Sequence, residues 1–169
     1  MRWLVLLPVI SACASAPSAR PVDRTPTDPS TAGAAWDALV RELPGRWIAT
    51  TQGGSVPVEF RVVAGQSTLI ETFGPPGRET VTAYHRDGGG VVATHYCAQG
   101  NQPRLRMRDG DAQHPRFVLA DVTGQDPGES VMVELGFDLA PAGGFERVEV
   151  YRQPDGPVER TRWRYTPAP

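Results

Sequence analysis

The chain has 169 residues with 17 Lys and Arg against 19 Asp and Glu, a formal net charge of −2. That length suits one domain after any leader is removed. The near balance leaves no basic stripe for nucleic acid and no acidic tail.

Residues 1–13 carry Arg2, the apolar run Trp3-Leu4-Val5-Leu6-Leu7-Pro8-Val9-Ile10, and then Ser11-Ala12-Cys13. A positive start, a brief apolar stretch and small residues before a cut form a secretory signal. The run falls short of the ~20 apolar residues that cross a bilayer. An ordinary signal cut at Ala16 or Ala19 is the rival reading. Ile10-Ser11-Ala12-Cys13 resembles the lipobox of bacterial lipoproteins. That resemblance implies removal of residues 1–12, lipidation of Cys13 and stable anchoring, because more than one acyl chain holds a protein on its membrane. Ala14 follows the cysteine where Asp would signal inner-membrane retention in the enteric sorting rule, so the outer membrane is the expected location. Lipidation would also leave Cys97 without a disulfide partner, and so buried, reactive or bridging two copies.

Residues 14–33 hold almost no large apolar side chain and several Pro. Such a segment buries too little surface to offset its ordering entropy, so the expectation is a disordered tether over 13–33. Trp36, Leu39, Val40 and Leu43 then recur at i, i+3, i+4 and i+7, one stripe of a short amphipathic helix that Pro44-Gly45 ends.

From Arg46 onward about ten short β-rich runs alternate with turn signals, near 46–51, 56–64, 67–73, 78–85, 91–97, 103–108, 116–122, 130–139, 145–152 and 158–165. Even spacing and hairpin-type breakers indicate an antiparallel meander. Closing it removes the edges, which favours an up-and-down barrel over 34–166. Two runs alternate cleanly. Val131, Val133, Leu135 and Phe137 oppose Met132, Glu134, Gly136 and Asp138. Glu146, Val148 and Val150 oppose Arg147, Glu149 and Tyr151. One face of each is expected wet and the other dry.

Gly45-Arg46-Trp47, after a helix and opening the first strand, resembles the G-x-W signature of lipocalin and calycin barrels. The resemblance implies that Trp47 closes the barrel base with an Arg from the last strand, 159–165, across its face. The segment Thr94-His95-Tyr96-Cys97-Ala98-Gln99-Gly100-Asn101-Gln102-Pro103-Arg104 resembles a family of bacterial domains of unknown function with a calycin-like barrel, over about 34–166. That family's role is unsettled, so the resemblance implies a fold more than an activity.

Strand alternation puts His95 and Cys97 on one face. A two-residue turn at Gly88-Gly89 pairs Tyr84 with Ala93 and Thr82 with His95; an odd-length turn brings His85 there instead. If His95 and Cys97 face inward, they line a cavity with Gln102, Arg104 and Met107, beneath a rim loop carrying Asn101. Arg104 would then suit a ligand carboxylate. On the alternative reading His95 is a satisfied core residue, Asn101 serves turn geometry, and the arginines form a solvated stripe.

The expected function is therefore binding of a small, largely apolar ligand in the envelope, with Trp47, Tyr84, His95, Cys97, Asn101, Gln102, Arg104 and Met107 as candidate contacts. The alternative is a non-enzymatic lipoprotein with a side-chain-filled barrel that acts through its outer surface. Two further readings rank below these. Cys97 with His95 or His85 forms a nucleophile and base only within hydrogen-bond reach and with an orienting third group. Haem-binding barrels such as the nitrobindins share the architecture, but relatives of the resembled family often carry another His where this chain has Val131-Met132-Val133. Zinc would need three or four ligands, and His114 lies in a turn far from His85 and His95 in sequence. No cofactor, no catalytic residue and no nucleic-acid partner is expected; a protein partner is not legible.

Overall fold

A computed structural model describes residues 28–139 and 143–169. The proposed signal, Cys13 and residues 14–27 lie outside them. Among the described residues a single helix, α1 (Pro29–Glu42), leads into ten strands: β1 (Gly45–Thr51), β2 (Gly54–Val63), β3 (Thr68–Phe73), β4 (Thr80–Asp87), β5 (Gly90–Tyr96), β6 (Gln102–Asp109), β7 (Arg116–Thr123), β8 (Val131–Asp138), β9 (Phe145–Arg152) and β10 (Val158–Pro167). Each strand pairs antiparallel with its neighbour in sequence, and β1 pairs with β10, so the meander closes into the expected barrel. Closure gives every strand two partners and leaves no edge.

The helix starts earlier than the sequence suggests. Pro29 to Gly33, assigned to the tether, form its first turn. Pro suits that position because its missing N–H is not needed there. Asp28 accepts hydrogen bonds from the hydroxyls of Ser30 and Thr31. Small size matters as much as apolar character: Ala32, Ala35 and Ala38 are buried beside Trp36, Leu39 and Leu43.

The position of α1 defines the two ends of the barrel. Pro29 lies against the Gly88-Gly89 turn, Asp37 pairs with Arg86 at 2.8 Å, and the helix delivers the chain to β1. It therefore covers the end where β4 turns into β5 and β2 into β3. The other end, called the mouth below, carries the loops 52–53, 74–79, 97–101, 124–130 and 153–157.

Toward the helix the interior is packed with apolar side chains, among them Phe60, Leu69, Leu105, Phe117, Leu135 and Phe137, all buried. Phe145 stacks on Tyr165 with centroids 4.2 Å apart and meets the edge of Trp47 at 4.9 Å. Nearer the mouth the interior becomes polar. Glu71, Thr82, His95, Arg147 and Glu149 are all buried.

That polar core corrects one expectation. On β9 it is Arg147, Glu149 and Tyr151 that point inward, since Arg147 and Glu149 join the buried cluster. Val148 lies on the outer wall, in a groove of about 240 Å³ with Arg116, Glu134, Arg160 and Arg162. The long stems of these side chains line the groove around the valine, and Val148 and Val150 are both buried, so the middle of the outer face is covered too. On β8, Leu135 and Phe137 face inward as expected. An irregularity between Met132 and Glu134 breaks the alternation, and Met132 joins the core with them.

Candidate functional site

The site begins with the β4–β5 hairpin. Asp87 pairs with Gly90 around Gly88-Gly89, so the two-residue turn holds, Tyr84 faces Ala93, and Thr82 faces His95. The next pairing sets Glu71 opposite Thr82. Three adjacent strands thus bring Glu71, Thr82 and His95 side by side on the inner face, and β9 supplies the opposite wall.

Arg147 is the hub. Its Nη1 donates to Glu71 and to the Tyr165 hydroxyl at 3.0 Å, and its Nη2 forms an ion pair with Glu149 at 2.8 Å. Its Cζ lies 5.6 Å from the centre of the Phe73 ring, a cation–π contact. Glu71 also accepts from the Tyr84 hydroxyl at 2.7 Å and from Thr82. Glu149 accepts from Trp163 Nε1 at 3.3 Å.

The protonation states follow from these neighbours. Burial pushes the Glu71 carboxyl up, opposed by Arg147 and by the Tyr84 and Thr82 hydroxyls. Burial also acts against the Arg147 charge, but Glu71, Tyr165 and Glu149 outweigh it and keep the guanidinium charged. His95 is pushed down to about 3, first by burial and then by the Arg147 charge, so it is neutral near pH 7. A carboxylate only accepts, so the Thr82 hydroxyl donates to Glu71. The Thr82 oxygen then accepts from His95 Nδ1–H at 3.0 Å, which leaves Nε2 to accept from the Tyr151 hydroxyl at 3.4 Å. The result is a directed chain from Tyr151 at the mouth to Glu71 inside.

Of the residues singled out in the sequence, four point into the barrel with the cluster or the core. His95 and Tyr84 belong to the polar cluster. Cys97 is half-buried on the His95 face, close enough to influence Tyr151. Met107 is buried in the apolar core. Trp47 sits at the helix end, as expected for a base-closing residue, and donates to the Leu43 carbonyl at 2.8 Å. Its ring partner, however, is Phe145, and the expected arginine does not cross it. Arg160, Arg162 and Arg164 lie on the outer face of β10, paired with Glu134 or Glu146, because Trp163 and Tyr165 take the inner positions.

Three candidates serve other roles. Arg104 is exposed on the outer wall and pairs with Asp121 of the adjacent strand. Gln102 shares that face; it donates to the Gly100 carbonyl and accepts from Thr123 at 2.9 Å. Neither side chain can line the interior together with Met107, since alternation puts 102 and 104 opposite 107. Asn101 is fully buried, but within the rim: its Nδ2 donates to Glu129 at 2.8 Å and to the Ser130 carbonyl at 3.2 Å. Gln99 reinforces the same clasp through Ser130 Oγ at 2.8 Å and Ser130 N–H at 3.1 Å. The dense segment 94–104 therefore does two jobs. His95 enters the cluster, and Gln99 and Asn101 fasten the 97–101 loop to the 124–130 loop. Asn101→Ala is expected to cost about 1 kcal/mol by removing two part-buried hydrogen bonds. Faster amide hydrogen exchange confined to 124–130 would mark the loss of the clasp.

Sequence reasoning missed Glu71, Arg147 and Glu149. Among the described residues no three or more His, Cys, Asp or Glu side chains converge as a metal site. His114 is exposed and lies against Asp111 at 3.0 Å and Asp138 at 3.5 Å. No described helix is long and apolar enough to cross a membrane.

What the arrangement offers chemically is recognition at the mouth. Half-buried Phe73, Tyr151, Trp163 and Cys97 surround a charged, hydrogen-bonded floor. No family model matches the chain, and no curated protein matches it.

Proposed function

We propose that the chain is a lipid-anchored envelope protein whose barrel binds a small, largely apolar ligand at its mouth. The observation that carries this reading is the change of character along the barrel axis. The helix end is filled by packed apolar side chains, whereas at the mouth three partly exposed aromatic residues stand over a buried ionic floor. Mostly apolar walls with a few fixed polar groups are the usual make-up of a small-molecule site. The anchor rests on the lipobox resemblance at 10–13, and the barrel supports the resemblance to calycin-like domains.

The fully buried Phe60, Tyr84, Phe117, Phe137 and Tyr165 favour a second reading, a filled barrel that acts through its outer wall. Native mass spectrometry of protein extracted from its own membrane separates the two. The expected result is a mass raised by a retained ligand, together with a diacylglyceryl-modified N-terminal peptide beginning at Cys13. A bare protein mass in repeated gentle extractions would turn the assignment to the filled barrel. An unmodified Cys13 would remove the anchor.

A further inference from the structure

The ionic floor is unbalanced. Two carboxylates, Glu71 and Glu149, face one guanidinium, and His95 adds no charge at neutral pH. The formal sum is −1, held where the surroundings screen it poorly. The three members are not equally buried. The side chains of Glu71 and Arg147 are 0% and 1% exposed, while that of Glu149 is 11% exposed. The excess charge is thus borne on the mouth side.

Glu149 is also the member with acceptor capacity to spare. One oxygen takes Arg147 Nη2 and the other takes a long bond from Trp163 Nε1. A carboxylate has about four acceptor positions, so two remain. Around it stand the rings. Trp163 binds it directly and meets Phe73 edge to face at 5.1 Å; Tyr151 lies two residues along the same strand, on the same face. The electron-rich faces of such rings attract cations; Trp163 turns its N–H edge to Glu149. The protein already applies this chemistry to its own cation, since Arg147 sits over Phe73 between the two carboxylates.

We propose that the mouth selects ligands bearing a positively charged head, a primary or quaternary ammonium, seated against Glu149 among Phe73, Tyr151 and Trp163. This rests on the ligand-binding reading and names the ligand class for that site. A bound ammonium would bring the cluster to formal neutrality, whereas a carboxylate or phosphate would raise its charge to −2 or beyond.

The test uses three probes with one tail and different heads: hexyltrimethylammonium, hexanol and hexanoate, titrated into the full-length protein while Trp fluorescence is followed. Hexyltrimethylammonium is expected to bind about tenfold more tightly than hexanol, and hexanoate more weakly than either. Glu149→Gln, which leaves the Arg147–Glu71 pair in place, is expected to erase the preference for the ammonium. Equal binding of ammonium and hexanol would overturn the charge selectivity and leave the ligand-binding reading standing. Failure of all three probes to bind would overturn both. Because the wild type alone supplies the three-probe comparison, a poorly folded variant does not decide the matter.

Discussion

Arg147→Met is expected to destabilise the barrel by about 3–5 kcal/mol, the cost of leaving buried charge without its partner. The substitution keeps much of the side-chain volume and removes the one positive charge that Glu71 and Glu149 share. Two like charges then face each other where the surroundings screen them poorly. Urea unfolding at pH 7 measures the loss. Adding Glu71→Gln and Glu149→Gln should restore most of it, because a neutral cluster no longer needs the guanidinium. A pH series adds a sign. Burial already pushes the Glu71 carboxyl up, and without Arg147 it binds a proton in the folded protein still more readily, so the stability gap between the variant and the wild type should narrow as pH falls from 7 toward 5. A loss below about 1 kcal/mol at pH 7 would show that the carboxyls are already protonated in the wild type and that the cluster is no ion network.

The second large effect concerns His95. In the unfolded chain its pKa is near 6.5, whereas in the folded protein it is pushed down to about 3. Between those values the unfolded chain binds more protons, so this residue's contribution is complete above pH 6.5 and is lost progressively as pH falls toward 3. At about 1.4 kcal/mol per unit, the loss between pH 7 and pH 5 is about 2 kcal/mol. Glu71, whose pKa is raised, works in the opposite direction at the acid end, so the informative quantity is the difference between two proteins. His95→Gln keeps a group able to bond Thr82 and cannot titrate; its stability should fall about 2 kcal/mol less than that of the wild type over the same interval. Parallel profiles would mean that His95 charges freely in the folded barrel, and the directed chain from Tyr151 to Glu71 would fail with it.

The barrel was legible in the sequence because its signals are local. Turn chemistry at Gly88-Gly89 sets a hairpin, period-two alternation sets a strand, and ten such units with no second helix leave closure as the way to avoid an edge. The register that places Thr82 beside His95 follows once the turn is two residues long, but three consecutive glycines leave that length, and so Thr82 or His85 as the neighbour, open in the sequence. The cluster was not legible for the opposite reason. Glu71 and Arg147 meet across 76 residues, and nothing near either one marks it as buried. On β9 alternation separates Glu146, Val148 and Val150 from Arg147, Glu149 and Tyr151 but does not say which set faces inward. The second set does, because Arg147 finds two carboxylates and the Tyr165 hydroxyl inside, while long side chains from β7, β8 and β10 surround Val148 outside. Asn101 and Gln102 were legible as chemistry-bearing residues but not as to purpose. Amides that fasten one loop to another and amides that greet a ligand have the same composition, and only their partners tell them apart.

The seating of Pro29 against the Gly88-Gly89 turn has a consequence for the direction of traffic. Under the proposed lipidation of Cys13, the leash joins the barrel at its sealed end, opposite the mouth. Residues 14–27 fully extended reach roughly 50 Å. Doubling back along an eight-residue strand takes about 26 Å of that. Turning the mouth toward the anchoring leaflet would therefore consume about half the leash, while facing the aqueous compartment consumes none. On that proposal the barrel would stand on its leash with the mouth facing the aqueous compartment, and it would take up solutes arriving through water, or from a surface across the gap, more readily than lipids leaving the bilayer beneath it.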